Sequence, residues 1–227
     1  MTGVIKFLKS NFSEITKLDL ELQQKSIKIE EENKLGLALS FCTNLTKFCL
    51  YLYSANIDDR QVSIILQSLT NCSLITVLQL SLHKNKIGDE GAKAVGVAFS
   101  SLKNLKELQL YLYNNLIGDQ GAFSIAKSLS SCIQMTNLTI CLSNNQNITE
   151  EGYLQIDQSL QSLKKLTELF CYLSESEKLL KSKYILECRN IKVLNLEVAW
   201  YESESKKKMQ RTKALKIKRL VKFNFFG

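Results

Sequence analysis

The chain has 227 residues, 45% of them hydrophobic, with no proline and a formal net charge of +8. No apolar run reaches the roughly 18 residues of a membrane-spanning helix, and the start, MTGVIKFLKSNFSEI, lacks the apolar stretch and cleavage site of a signal peptide, so an intracellular, cytoplasmic protein is expected. The charge is local: residues 206–222 carry nine Lys and Arg and no acid, leaving 21 basic against 22 acidic residues elsewhere, which excludes a uniformly basic surface.

Residues 1–14 read as an N-terminal cap in which Val4, Ile5, Leu8 and Phe12 cover the first repeat. From Ile15 the chain repeats itself. ITKLDLEL at Ile15 is followed by LTKFCLYL at Leu45, ITVLQLSL at Ile75, LKELQLYL at Leu105, MTNLTICL at Met135, LTELFCYL at Leu166 and IKVLNLEV at Ile191, at spacings of 30, 30, 30, 30, 31 and 25. A fixed period of this size marks a stacked-repeat architecture. Within each block the last apolar positions alternate with polar ones, which predicts a strand with one buried face. An Asn- and Gly-rich turn follows, as in HKNKIGDEGA from His83, YNNLIGDQGA from Tyr113 and SNNQNITEEG from Ser143. A helix comes next. Ala92, Val95, Ala98, Phe99 and Leu102 share one face in the third copy, and Ala122, Ile125, Ala126 and Leu129 in the fourth. Asp89 and Asp119 stand where N-caps are expected, and Gly91 and Gly121 allow close packing at the helix start.

These residues resemble the leucine-rich repeat family, and the IGDEGA helix start resembles its ribonuclease-inhibitor subtype. The resemblance spans about residues 15–199. It implies an α/β solenoid, a horseshoe of about seven strand–turn–helix repeats with a parallel sheet on the concave side. The family pattern L-x-x-L-x-L-x-x-N is departed from at one point. Ile75, Leu78, Leu80 and Leu82 run on to Asn85 with an extra apolar step, which should lengthen the strand or widen the turn. Residues 15–202 then form the repeat domain and residues 203–227 a basic C-terminal cap or tail.

Seven cysteines raise the question of a metal or a disulfide framework. Cys42, Cys72, Cys132 and Cys188 lie three residues before a strand block, a place taken by Leu102 and Leu163 elsewhere, which predicts small buried apolar sites. No C-x-x-C pair is present, and no metal is expected. Cys49 and Cys141 fall on outward-facing strand positions, where a reactive thiol is conceivable, without an evident activating partner. No catalytic constellation emerges either. The single histidine, His83, has no nucleophile or orienting acid at a fixed spacing. Residues 91–96, GAKAVG, start like a P-loop, but Val97 and Ala98 occupy the Lys and Ser/Thr places. Asp58–Asp59 and Asp89–Glu90 are read as helix-start charges that favour the helix dipole. A non-enzyme without cofactor is expected.

Function is therefore sought on the concave face. The outward column reads Glu21, Tyr51, Ser81, Tyr111, Cys141, Tyr172, Glu197, and two residues further on Gln23, Tyr53, His83, Tyr113, Ser143, Ser174, Ala199. Five of the eight tyrosines, Tyr51, Tyr53, Tyr111, Tyr113 and Tyr172, gather there with Phe170, and Gln79, His83, Glu107, Gln109 and Glu168 supply polar contacts. Tyrosine joins a large ring to a polar tip and is enriched at interfaces; strand propensity is the competing explanation. The expected function is a protein-interaction module or scaffold that holds a protein partner on this face, with no small-molecule substrate. Three readings of the basic segment, Lys206, Lys207, Lys208, Arg211, Lys213, Lys216, Lys218, Arg219 and Lys222, stay open. It is a capping helix with a solvated basic side, a docking site for acidic protein, or a charge-driven contact with RNA or anionic membrane. The resemblance also implies a rival function, a small-GTPase activator, for which Arg60 and Arg189, the body's only arginines, are the sole candidates for an arginine finger. A third is the recognition part of a larger assembly such as a ubiquitin ligase, although no F-box-like extension is visible.

Overall fold

The computed structural model describes residues 11–22, 29–172, 190–197 and 222–226. A 3-10 turn, Phe12–Glu14, leads into β1 (Lys17–Glu21), α1 (Ile29–Ser40), β2 (Lys47–Tyr51) and α2 (Asp59–Gln67), which runs on into a second 3-10 turn. Then come β3 (Val77–Ser81), α3 (Asp89–Ser101), β4 (Glu107–Tyr111), α4 (Asp119–Leu129), β5 (Asn137–Cys141), α5 (Glu150–Leu160), β6 (Glu168–Tyr172), β7 (Val193–Glu197) and β8 (Lys222–Phe226). The strands form one parallel sheet in chain order. Lys17 pairs with Lys47, Val77 with Glu107 and Glu107 with Asn137, so the sequence period is the register of the sheet.

One strand more than the seven repeated blocks is present. Lys222, expected in a cap or basic tail, starts β8 opposite Val193, and Phe223 and Phe225 align with Leu194 and Leu196. The run KFNFF therefore continues the alternation of the repeat with phenylalanine in the leucine register. Lys206, Lys207, Lys208, Arg211, Lys213, Lys216, Lys218 and Arg219 lie outside the described residues, as do Val4, Ile5, Leu8, Cys188 and Arg189. Phe12 of the N-terminal segment stacks on Phe41 at the end of α1, 6.2 Å between ring centres.

The alternation within each block holds. Leu78, Leu80, Leu108, Leu110 and Leu138 are buried with the helix residues Ala92, Val95, Phe99, Ala122, Ile125 and Leu129 in one continuous core. Each repeat thus buries its apolar stripe against its neighbours and not within itself. Cys42, Cys72 and Cys132 are buried. The Cys42 and Cys72 thiols lie 3.4 and 3.5 Å from the carbonyls of Ala38 and Leu39. Burial pushes the Cys42, Cys72 and Cys132 thiols up to about 11, so they stay protonated and inert.

The extra apolar step extends the pairing beyond the strands. Leu82 N donates to Tyr111 O, and Lys84 N, three residues past the end of β3, donates to Tyr113 O. The chain then turns at a left-handed residue, Lys84, Asn114 or Asn144, with φ of 56°, 54° and 57°. The next residue is the asparagine of the repeat, and the ladder of buried asparagines forms. Asn115 accepts from Ile87 N at 3.0 Å and donates to Leu82 O and Leu112 O at 3.0 and 2.9 Å. Asn145 repeats this with Ile117, Leu112 and Leu142. Asn85 does so with Ile57, Leu52 and Leu82, and also accepts from Ala55 N.

Helix capping differs from the expectation. Asp89 and Asp119 are not the N-caps of their own helices; Gly88 and Gly118 hold that position, and each aspartate is the first helical residue. Their carboxylates reach forward one repeat. Asp89 accepts from Gly118 N and Gly121 N at 2.7 and 2.9 Å. Asp119 accepts from Thr149 N and Gly152 N at 2.8 and 3.1 Å, and Asp59 from Gly88 N at 2.6 Å. The starts of α3, α4 and α5 thus each receive a carboxylate from the repeat before, which couples neighbours along the solenoid. Asp58, by contrast, caps its own helix in a reciprocal pair with Gln61.

The glycine at each helix start makes room for that carboxylate. A Cβ on Gly121 would sit 2.6 Å from Asp89 Oδ1 and 2.7 Å from Ile117 Cγ2. Gly121→Ala is expected to lower the stability by about 1–3 kcal/mol, the range for overpacking plus a lost cap. In Asp89→Ala the cap is already gone, so adding Gly121→Ala should cost less than it does in the wild-type chain. Strictly additive losses in urea unfolding of the two single variants and the double variant would disprove the coupling. Gly96 serves packing in the same way: a Cβ there would meet Ser128 Oγ at 2.5 Å. The stretch 91–96 lies inside α3, not on a phosphate-binding loop.

Candidate functional site

Strand parity leaves one face of the sheet free of helices, and the candidate residues stand on it in columns. Tyr51, Ser81, Tyr111, Cys141 and Tyr172 are successive register partners. Large and small residues alternate along this row. Neighbouring strands lie about 4.8 Å apart, too close for unstacked side-by-side rings; alternation spaces the tyrosines about 9–10 Å from each other and tucks the small residues between them. Ser81 and Cys141 are 5% and 6% exposed, whereas the three tyrosines are half-buried.

The next row solves the spacing problem differently. His83 lies between Tyr53 and Tyr113, with ring centres 4.9 and 4.2 Å apart and planes tilted by 6° and 13°. Here three consecutive repeats carry a ring and the rings stack. His83 is thus a wedged, half-buried ring and not a freely exposed one, and its Nδ1 is buried without a hydrogen-bond partner. Burial, with Lys84 next to it, holds its pKa below the ordinary value of 6.5. The neutral ring is therefore the folded form. The unfolded chain takes up a proton first, so the stack contributes fully above 6.5 and weakens as pH falls from 6.5 towards the lowered folded value. Because the chain has one histidine, proton NMR reads it without assignment, and its titration midpoint should lie below 6.5. A midpoint above that value would rule out the stacked, neutral state.

Between β4 and β6 the face dips into a hollow of about 450 Å³, lined by Glu107, Gln109, Tyr111, Asn137, Thr139, Glu168, Phe170 and Tyr172. A string of hydrogen bonds fixes its walls. Gln109 Nε2 donates to Glu107 Oε1 at 2.7 Å, and Asn137 Nδ2 donates to Glu168 Oε2 at 2.8 Å. Tyr111 OH donates to Gln109 Oε1 at 3.4 Å. Burial, and then Cys141, raise the Tyr111 pKa, so the phenol stays neutral and able to donate.

The predicted residues thus fall into groups. Glu107, Gln109, Tyr111, Phe170 and Tyr172 share the hollow, and Tyr53, His83 and Tyr113 form the stack. Gln79 lies in register between Cys49 and Gln109. Tyr51 stands apart, beyond Ser81, and is tied to Cys49; burial, then Cys49 and Asp19, raise its pKa. Asn137 and Thr139 were missed, although they occupy the same open-face positions in the fifth block as Glu107 and Gln109 do in the fourth. The two cysteines on this face are not accessible thiols. Cys49 and Cys141 are both buried, and burial with the Asp19 carboxylate pushes Cys49 up to about 11. Among the described residues no cluster of His, Cys, Asp and Glu is arranged to hold a metal ion, and no helix is long and apolar enough to cross a membrane.

No protein-family model matches the sequence, and no curated protein is significantly similar to it. Solved structures do match. The tropomodulin C-terminal domain of Caenorhabditis elegans aligns at a TM-score of 0.51 and 12% identity, over 72% of this chain and 91% of that one. Leiomodin-1 actin-binding site 2 aligns at 0.45 and 17%, over 96% and 95%. The leucine-rich repeat ectodomain of the Arabidopsis receptor kinase HAESA aligns at 0.41 and 13%, over 82% and 32%. At these identities the likeness concerns the fold. A parallel sheet that advances one strand every 30 residues, with each turn pinned by an asparagine from the following repeat, is how a leucine-rich repeat solenoid is built, and that is the fold of this chain.

Proposed function

We propose that the chain is a non-enzymatic protein-interaction module that holds a protein partner on the open face of its sheet. The observation that carries this reading is the spaced row Tyr51, Tyr111 and Tyr172 beside a polar-walled hollow. The small residues between the rings keep the rings apart on the open face, which gives large contact area at low side-chain entropy cost. His83, the natural candidate for acid–base chemistry, is wedged between two rings with no carboxylate to orient it. In this reading residues 15–202 form the binding body and residues 1–14 and 203–227 close its ends, with β8 adding a strand inside the last segment.

The test begins with a partner recovered by cross-linking mass spectrometry from the native cell. Tyr111→Ala should weaken its binding by at least about 1 kcal/mol, roughly fivefold, while circular dichroism stays unchanged because the ring stands on the face away from the core. Binding that survives joint loss of Tyr51, Tyr111 and Tyr172 would move the site off this face. GTP hydrolysis by small GTPases that rises on adding the chain, and fails to rise with Arg60→Ala, would replace this reading by the activator one.

A further inference from the structure

The hollow between β4 and β6 carries a charge pattern that the aromatic row does not explain. Glu107, Asn137 and Glu168 are register partners on three adjacent strands. The two carboxylates therefore start about 9–10 Å apart, two strand spacings, with an amide between them. Each spends one oxygen on a neighbouring amide, Glu107 Oε1 on Gln109 and Glu168 Oε2 on Asn137. These bonds fix the orientation of both groups and leave Glu107 Oε2 and Glu168 Oε1 to accept from elsewhere.

Neither carboxylate pairs with a cation of the chain among the described residues; the ion pair there is Lys93–Glu90 on α3. The lysines of the same column stand on β1, β2 and β8, as Lys17, Lys47 and Lys222. Val77 separates Lys47 from Glu107, and Val193 separates Lys222 from Glu168. The centre of the face is thus acidic and half-buried, walled by the rings of Tyr111 and Phe170. Among the described residues no cation stands against these two carboxylates, and a cation brought into the hollow would meet both.

We propose that this hollow receives an arginine side chain from an extended basic segment of the partner, held between Glu107 and Glu168. This rests on the reading of the open face as protein-binding and names the chemistry of its partner. Arginine fits better than lysine because its guanidinium carries donors on opposite edges, which reach two separated carboxylates, and a flat face that stacks on an aromatic ring. Lysine offers a point charge to one carboxylate at a time. A metal ion needs oxygen ligands within about 2.0–2.6 Å, and the described residues hold no such cluster.

The full chain is titrated with a short glycine–serine peptide bearing one central arginine, and with the same peptide bearing lysine or citrulline. Nitrogen-15 NMR follows the side-chain amides of Gln109 and Asn137, which bond to the two carboxylates. The arginine peptide should shift both resonances, the lysine peptide should bind about fivefold more weakly, and neutral citrulline should have no effect. Glu107→Gln with Glu168→Gln should weaken the arginine peptide about tenfold, and added salt should weaken it in the wild-type chain. Equal shifts with citrulline, no shift at millimolar arginine peptide, or unchanged affinity in the double glutamine variant would each overturn the proposal. The native partner separates the two readings. Binding lost in Tyr111→Ala but kept in the double glutamine variant defeats the arginine inference and leaves the face as the site; binding kept in both defeats the face as well.

Discussion

Replacing Asn115 by alanine is expected to lower the unfolding free energy by about 3–6 kcal/mol. The residue is 6% exposed and serves three backbone groups in two turns: Ile87 N–H, Leu82 C=O and Leu112 C=O. Alanine removes all three partners at once, and an unsatisfied buried backbone group costs about 1–3 kcal/mol. The loss is not confined to one repeat, since the asparagine belongs to the fourth and two of its partners to the third. Asn115→Asp should not rescue: it keeps the acceptor, removes both donations and buries a charge. Asn85→Ala gives the internal control. Asn85 is only half-buried, so water can reach some of the groups it releases and the cost should be smaller. Urea unfolding decides the matter. A loss below about 1 kcal/mol for Asn115→Ala would mean that the turns hold without the ladder. A drop in the denaturant slope would show that the repeats before and after the break no longer unfold together.

The repeat was legible because a solenoid writes its register directly as a sequence period. Residues 30 apart, such as Leu80 and Leu110, are neighbours in the sheet, so one alignment of the chain on itself gives both strands and pairing. What stayed hidden depends on neighbours that the period does not identify. Asp89 looks like a cap by its distance from its own helix, but its hydrogen bonds go to Gly118 and Gly121 in the next repeat. Cys49 and Cys141 have outward strand parity and are nonetheless buried, because larger side chains flank them on the neighbouring strands, Asp19 and Gln79 at Cys49 and Tyr111 and Tyr172 at Cys141. Parity gives direction, and the neighbours decide exposure. The eighth strand was masked by composition: the nine cations of residues 206–222 drew attention to charge, while the alternation in KFNFF carried the structural signal. On the open face, Tyr111, Tyr172, Glu107 and Gln109, grouped in columns by the period, line one hollow. That Tyr53, His83 and Tyr113 stack, whereas Tyr51, Tyr111 and Tyr172 are spaced, was also written in the residues between them, as His83 in one row and Ser81 and Cys141 in the other.

Leu110 and Tyr111 are adjacent in β4 and should respond to truncation in opposite ways. Leu110 is fully buried between the strand and helix layers, in contact with the same core as Leu80 and Ile140 on the flanking strands. Leu110→Ala removes its branched end from a site flanked by Leu80 and Ile140 that cannot collapse freely; the expected loss is about 2–5 kcal/mol, the range for cavity-forming truncations. Tyr111 stands on the other side of the same backbone, half-buried beside Ser81 and Cys141. Its truncation forfeits one long hydrogen bond to Gln109 and some ring contact, so stability should fall by well under half of the Leu110 effect, while binding of the proposed partner weakens at least about fivefold. The pair tests parity itself, since a strand shifted by one residue exchanges its two faces. Under that exchange Tyr111→Ala would be the destabilising change and Leu110→Ala the one that impairs binding. A Leu110→Ala loss below about half a kilocalorie, against the range expected for a core site, would take the residue out of the core and the tyrosine row off the proposed binding face together.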